Sequence, residues 1–402
     1  MGTQPTLDDA TTHQPRVRED RRQRAVESLG LTEPDRNPRL DRITRIARAL
    51  FGVMMSSVTV IDRDRALYMG RAGFDDAESG RGDTPCKLVT DTGEVITTDD
   101  ARLDPRFADI RPFVENGLAF YIGHPLTDAS GNVVGSFCLI DKEPRTLSPR
   151  EMQEFTDLAA WAQEELLAEA EAVRARDTQQ ALLPERPLVT DEVRVEGVCI
   201  PSLGVGGDYY DHGVVGRLVH VAIGDVMGKG TAAAILGAAT RAAARTIVPS
   251  ITDEVSLGAA VDRIERAMTG DLQRTNAFVT YFHATIDLDT GRLAYVDAGA
   301  GLSILVRADG TAEQLTGTGL PIGILPQPHT AQSTTLYPGD RLVLVSDGVL
   351  DVLDDEIVWP DELAGYTREA ADIHALVERI RSLSAERVPL DDVTVVVAEY
   401  RP

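Results

Sequence analysis

The chain has 402 residues, enough for two domains, and its 43% hydrophobic and 26% charged residues are those of an ordinary globular protein. With 64 acidic against 40 basic residues the net charge is −24, which argues against nucleic acid or an anionic membrane surface as a general partner. No run approaches the ~20 apolar residues of a membrane span, and the polar N-terminus lacks a signal-peptide core, so the expected location is cytoplasmic.

Residues 1–20 are polar and read as a disordered leader, with the basic run from Arg16 to Arg24 as a solvated stretch. Residues 38–50 place Leu40, Ile43, Ile46, Ala47 and Leu50 at helical spacing. A strand follows at 57–61, a turn at 62–65 and a return strand at 66–69, broken by Gly70 and Gly73. Further strands fall at 93–97, 120–125 and 133–141. Antiparallel strands with helices at both ends predict an α+β domain. Cys86, Cys138 and Cys199 match neither zinc nor disulfide spacing and read as reduced thiols.

Ser148-Pro149-Arg150-Glu151 is a helix start: a serine cap, proline at the first position and acid in the first turn. Met152, Phe155, Leu158, Ala159, Ala162, Leu166, Ala170 and Val173 then form a stripe, and the helix is expected to run to Pro184. At ~1.5 Å per residue it would be roughly 50 Å long. Two partners for the stripe are open: a second copy of the chain in a coiled-coil homodimer, or the helix's own domain.

The second half sets four aspartates in tight turns beside short apolar runs: Asp208 in Gly206-Gly207-Asp208-Tyr209-Tyr210-Asp211, Asp225 in Gly224-Asp225-Val226-Met227-Gly228-Lys229-Gly230, Asp347 in Ser346-Asp347-Gly348, and Asp391 in Asp391-Asp392-Val393-Thr394. Carboxylates at strand ends are rigid yet reach the rim of a sheet. Several together repel one another unless a cation sits among them, and all-oxygen ligation suits Mg or Mn. The residues thus point to a carboxylate-bound metal centre.

Residues 21–147 carry Asp104-Pro105-Arg106-Phe107-Ala108, Phe120-Tyr121-Ile122-Gly123-His124-Pro125-Leu126 and Gly135-Ser136-Phe137-Cys138-Leu139-Ile140-Asp141, and resemble a GAF sensor domain. That implies an unknown small-molecule or protein signal. Cys86 reads either as a reactive or ligating thiol or as a small buried residue, and His124 either as a pocket residue or as a hydrogen-bonded structural one. After a linker helix at 148–184, residues 185–402 resemble a metal-dependent protein phosphatase of the PPM (type 2C) superfamily, in its SpoIIE or RsbU-like branch. The resemblance rests on Gln179-Gln180-Ala181-Leu182-Leu183-Pro184 and the four aspartate motifs, in order.

The resemblance implies a β-sandwich flanked by helices and two Mn2+ or Mg2+ ions. Asp225 would bridge the ions with the Val226 carbonyl beside it, Asp347 and Asp391 would complete the second ion's shell, and Asp208 would hold bound waters. The implied reaction is hydrolysis of a phosphoserine or phosphothreonine without a protein nucleophile, and the implied substrate is an anti-sigma-factor antagonist. Asp211, Asp351 and Asp392 stay open as further ligands, since Asp392 adjoins Asp391. Three positions depart from the family or sit at its variable points: Met227 where many members have histidine, Lys229 as either a phosphate contact or a solvated cation, and Ala300 in place of a histidine. Gly206-Gly207-Asp208 also invites a diguanylate-cyclase reading, but Tyr209-Tyr210-Asp211 follows where that family has Glu-Phe. The competing class is a docking scaffold without turnover.

Overall fold

The computed structural model describes residues 7–31, 37–354 and 357–402, with side chains from residue 18 onward. It divides into two compact units, residues 1–174 and 175–402.

The first unit runs α1 (Leu7–Leu29), α2 (Pro38–Phe51), β1 (Met55–Asp62), β2 (Arg65–Ala72), β3 (Glu78–Gly80), α3 (Cys86–Thr92), β4 (Ile96–Thr98), α4 (Arg111–Asn116), β5 (Phe120–Thr127), β6 (Val133–Asp141) and most of α5 (Pro149–Leu182). Its six strands form one antiparallel sheet in the order β3-β2-β1-β6-β5-β4. Helix α2 starts where the Asn37 side chain accepts from the Arg39 and Leu40 amides, and stops at left-handed Gly52. Helix α5 starts with Ser148 and Glu151 bonding reciprocally, Ser148 N donating to Glu151 Oε2 at 2.8 Å and Glu151 N to Ser148 Oγ at 3.3 Å.

One open alternative is decided here and one expectation is corrected. The stripe on α5 is not a free seam: Phe155, Ala159, Ala162, Leu166 and Ala170 are fully buried within the first unit, in one cluster with Val26 and Leu29 of α1, Ile43 and Phe51 of α2, and Phe137 of β6. Helices α1, α2 and α5 share one face of the sheet, with the Phe155 ring stacked on Phe137 at 5.3 Å. The leader is also helical from Leu7 onward, while residues 1–6 lie outside the described residues. Arg22, inside the basic run, is 4% exposed; it donates to the Ile61 carbonyl and pairs with Glu19 at 2.8 Å. A charge count could not see that Arg22 has these partners.

The second unit continues with β7 (Leu188–Val189), β8 (Val193–Ile200), β9 (Tyr209–Val215), β10 (Leu218–Val226), α6 (Thr231–Ile247), α7 (Glu254–Thr275), β11 (Val279–Asp287), β12 (Arg292–Ala298), β13 (Ser303–Val306), β14 (Ala312–Gln314), β15 (Gln332–Thr335), β16 (Arg341–Val345), α8 (Trp359–Glu369), α9 (Ile373–Arg387) and β17 (Val393–Tyr400). Two antiparallel sheets, β15-β12-β11-β10-β9 and β14-β13-β16-β17-β8-β7, face each other as a sandwich. Alternation divides each strand between two faces. Val219, Val221 and Ile223 join Leu342, Leu344 and Val396 between the sheets, whereas Val343, Val345, Val395 and Val397 face α8 and α9. Helices α6 and α7 lie on the five-stranded sheet.

Candidate metal centre

Strand pairing brings the four aspartates to one end of the sandwich. Asp208 precedes β9 and Asp225 closes β10, and these two strands pair with Gly224 opposite Tyr209. Asp347 follows β16 and Asp391 precedes β17, paired with Val345 opposite Val395. Each sheet therefore supplies two carboxylates. Asp225 and Asp347 share the wall of a cavity of about 180 Å³ with Thr280, Ala300 and Ser346.

Electrostatics ties the group together. Burial, with Asp347 and Asp391 nearby, raises the Asp225 carboxyl to about 7. Burial and the neighbouring Asp225 push Asp208 well above the ordinary carboxylate range, although Ser346 and Thr394 oppose this. Burial and Asp391 raise Asp347. Close carboxylates that cannot all ionise at neutral pH are what a cation would relieve. The donor set is all oxygen, which suits a hard divalent ion. Among the described residues, no three His, Cys, Asp or Glu side chains already stand round a common point as ligands. Instead Lys229 pairs with Asp391 at 2.9 Å and donates to the Leu390 carbonyl.

The three aspartates left open all have protein partners. Asp392 accepts from Ser202 N at 2.8 Å, Ser202 Oγ at 3.1 Å and Gly207 N at 2.7 Å, so it pins the loop ahead of Asp208. Asp351 accepts from the Leu390 and Asp391 amides. Asp211 is held by Arg241 at 3.2 Å and Arg245 at 3.5 Å of α6. Of the adjacent pair, Asp391 is the one that acts on Asp225 and Asp347 more strongly.

The backbone is fitted closely around these groups. A methyl group on Gly206 would collide with the Asp392 carboxylate, and one on Gly207 would lie 2.6 Å from the Val226 carbonyl. Gly228, at φ +102°, turns the chain from β10 towards α6. Met227 hydrogen-bonds through its backbone to Phe278 and leaves its side chain 45% exposed. The Ala300 amide donates to buried Asp297.

Sequence reasoning missed four supporting side chains. Thr394 Oγ1 donates to Asp208, Ser346 Oγ accepts from Thr394 N, and Ser202 holds Asp392. Gln179 grips Gly206 from both sides: its Nε2 donates to the Gly206 carbonyl at 2.6 Å and its Oε1 accepts from the Gly206 amide at 3.1 Å. The Gln-x-x-Leu-Leu-Pro motif was the available signal for that clamp.

Residues 35–166 match the GAF domain family, and residues 216–401 match the family described as Stage II sporulation protein E (SpoIIE). The chain carries a GAF domain followed by a SpoIIE-type phosphatase domain. It is 35% identical over 126 residues, 31% of this chain, to cyclic di-GMP phosphodiesterase PA2567 of Pseudomonas aeruginosa. It is 25% identical over 228 residues, 56% of this chain, to phosphoserine phosphatase RsbU of Bacillus subtilis. The matches span 21% and 64% of those relatives' own lengths, less than two thirds of each. A crystal structure of RsbU and RsbW domains from Mycobacterium tuberculosis matches at 23% identity, covering 53% of this chain and 61% of that one, with a TM-score of 0.47.

Within the GAF domain, Cys86 and Cys138 are buried with their sulfurs 3.9 Å apart, and contact with Cys138 draws the Cys86 thiol below its ordinary range. His124 bonds through Nδ1 to the Pro125 carbonyl at 2.9 Å. In the second unit, burial raises the Cys199 thiol well above its ordinary range, which makes it a poor nucleophile.

Proposed function

We propose that the protein is a metal-dependent phosphoserine/phosphothreonine phosphatase controlled by its GAF domain, with a sensor at 21–147, a linker helix at 148–184 and a catalytic part at 185–402. The observation that carries this reading is the meeting of Asp208, Asp225, Asp347 and Asp391 at one end of the sandwich, where burial and the neighbouring carboxylates raise Asp225. A pair of bound Mn or Mg ions would supply activated water and offset charge on the phosphoryl oxygens. Asp208, Asp225, Asp347 and Asp391, with the Val226 carbonyl, would hold the ions. Thr394 and Ser346 fix the Asp208 carboxyl. Gln179 and Asp392 fix the loop that carries it, and Lys229 stands at the rim where a phosphate dianion enters.

RsbU's name as a phosphoserine phosphatase supports this substrate class. The finer proposal is an anti-sigma-factor antagonist as the phosphoprotein, in the cytoplasm. No helix among the described residues is long and apolar enough to cross a membrane. A homodimer would need a face of α5 other than the buried stripe, such as the one bearing Trp161, which is 41% exposed.

One observation favours the docking scaffold: Lys229 already occupies Asp391. Hydrolysis of p-nitrophenyl phosphate by the full chain, with and without Mn2+, separates the two readings. The phosphatase reading expects turnover that depends on Mn2+ and is lost in Asp225→Asn and Asp347→Asn; no turnover, or turnover indifferent to metal, would favour the scaffold.

A further inference from the structure

Tyr281, His283 and His220 form a hydrogen-bonded chain on the α6 side of the five-stranded sheet. Tyr281 Oη lies 2.8 Å from His283 Nδ1, and His283 Nε2 lies 3.2 Å from His220 Nδ1. The two imidazole rings meet edge to face, and all three residues are at most 3% exposed. A phenol that accepted here would bury its own proton unpaired, whereas donation leaves only a lone pair unused. Tyr281 therefore donates to His283 Nδ1, His283 donates from Nε2 to His220 Nδ1, and His220 carries its proton on Nε2. Burial lowers His220 to about 4 and His283 to about 3, so both are neutral near pH 7.

His220 Nε2 is buried and has no hydrogen-bond partner among the described residues. His220 is one of the residues that wall a cavity of about 190 Å³, together with His212, Val214, Ala222, Ala244 and Val248. Small residues, Gly213, Ala222 and Ala244, leave part of this space open. Gly213 lies opposite His220 in the β9–β10 ladder, and a methyl group there would touch nothing within 4 Å. An apolar cavity of ~150 Å³ is enough to admit benzene. An N–H donor that is buried and unpaired beside such a space lacks only an acceptor. Arg245, at the mouth, is already turned to Asp211, so no free charge inside asks for an ion.

We propose that this cavity binds a small, neutral, largely apolar molecule with one carbonyl or hydroxyl oxygen, which accepts from His220 Nε2. The site stands independently of the phosphatase reading. It lies under the C-terminal turns of α6, the helix that follows the Asp225 loop, so an occupant would press on one end of an element whose other end adjoins the carboxylates.

Acetophenone and ethylbenzene have nearly the same shape and differ in one carbonyl. Each is titrated into the full chain and followed by imidazole 15N–1H NMR and by thermal melting. Acetophenone is expected to shift the His220 Nε2–H signal, raise the melting temperature and bind about fivefold more tightly than ethylbenzene. His220→Phe should remove that preference. Ala244→Leu, which fills the cavity and leaves the relay intact, should remove binding of both probes. The proposal is overturned if neither probe binds and water alone serves His220, if the two bind equally, or if acetophenone binding survives Ala244→Leu. Should His220→Phe fail to fold, Ala244→Leu decides.

Discussion

Thr394 Oγ1 donates a 2.6 Å hydrogen bond to Asp208 Oδ2, joining the start of β17 in one sheet to the carboxylate ahead of β9 in the other. Both partners are buried, so the bond is one of the few compensations for a carboxyl taken out of water. Thr394→Val keeps the shape and removes the donor. It should cost about 1–3 kcal/mol in urea denaturation and weaken the stabilisation that Mn2+ gives.

Asp225 stands among three other carboxyl groups, Asp208, Asp347 and Asp391. Asp225→Asn removes the carboxyl that the other three crowd and should raise the melting temperature in EDTA relative to the parent chain. The same variant should lose the rise in melting temperature on adding Mn2+. A lower melting temperature in EDTA would mean that the carboxylates do not strain the fold.

The Gln179 clamp holds Gly206 through both backbone groups, two residues before Asp208. Gln179→Ala should leave the global melting temperature nearly unchanged. Loosening a loop that positions a carboxylate should nevertheless lower kcat for p-nitrophenyl phosphate by about tenfold to a hundredfold.

Much of this site could be read in the chain. Asp208, Asp225, Asp347 and Asp391 each sit beside a strand-like run, and the sandwich brings those strand ends together. The supporting groups were silent because Ser202, Ser346 and Thr394 are short hydroxyl residues in turns or inside a strand, with no periodicity to mark them. Asp391 and Asp392 are neighbours, and only the loop that folds back onto Asp392 distinguishes them. The stripe on α5 was legible as a stripe. Its partner was not, because periodicity reports that a face is buried and not what buries it.

The histidine relay sets a response to acid. His220 and His283 ionise in the unfolded chain near pH 6.5 but resist ionisation when folded, so their contribution to stability is full above that pH. It is lost as pH falls towards 4, where His220 takes up its proton, at a cost on the order of 3 kcal/mol for His220 alone. His220→Phe should flatten the fall in melting temperature between pH 6.5 and 4.

Phe155 lies fully buried, stacked on Phe137 and edge-on to Phe51. Phe155→Ala should destabilise the GAF domain by about 3–5 kcal/mol, read as an earlier melting transition. Deletion of the segment from Phe155 to Ala170 should then unfold that domain rather than only part a dimer, as hydrogen exchange would report.

The first helix of the GAF domain starts well before residue 35, where the family match begins. Its Ala25, Val26 and Leu29 are sealed against the same cluster as α5, and Arg22 ties it to the end of β1. An excised sensor that began at the family boundary would carry a greasy scar along α2 and α5 and a bare carbonyl at Ile61. Aggregation of such a fragment would report on where it was cut, not on whether the sensor can live apart from its effector.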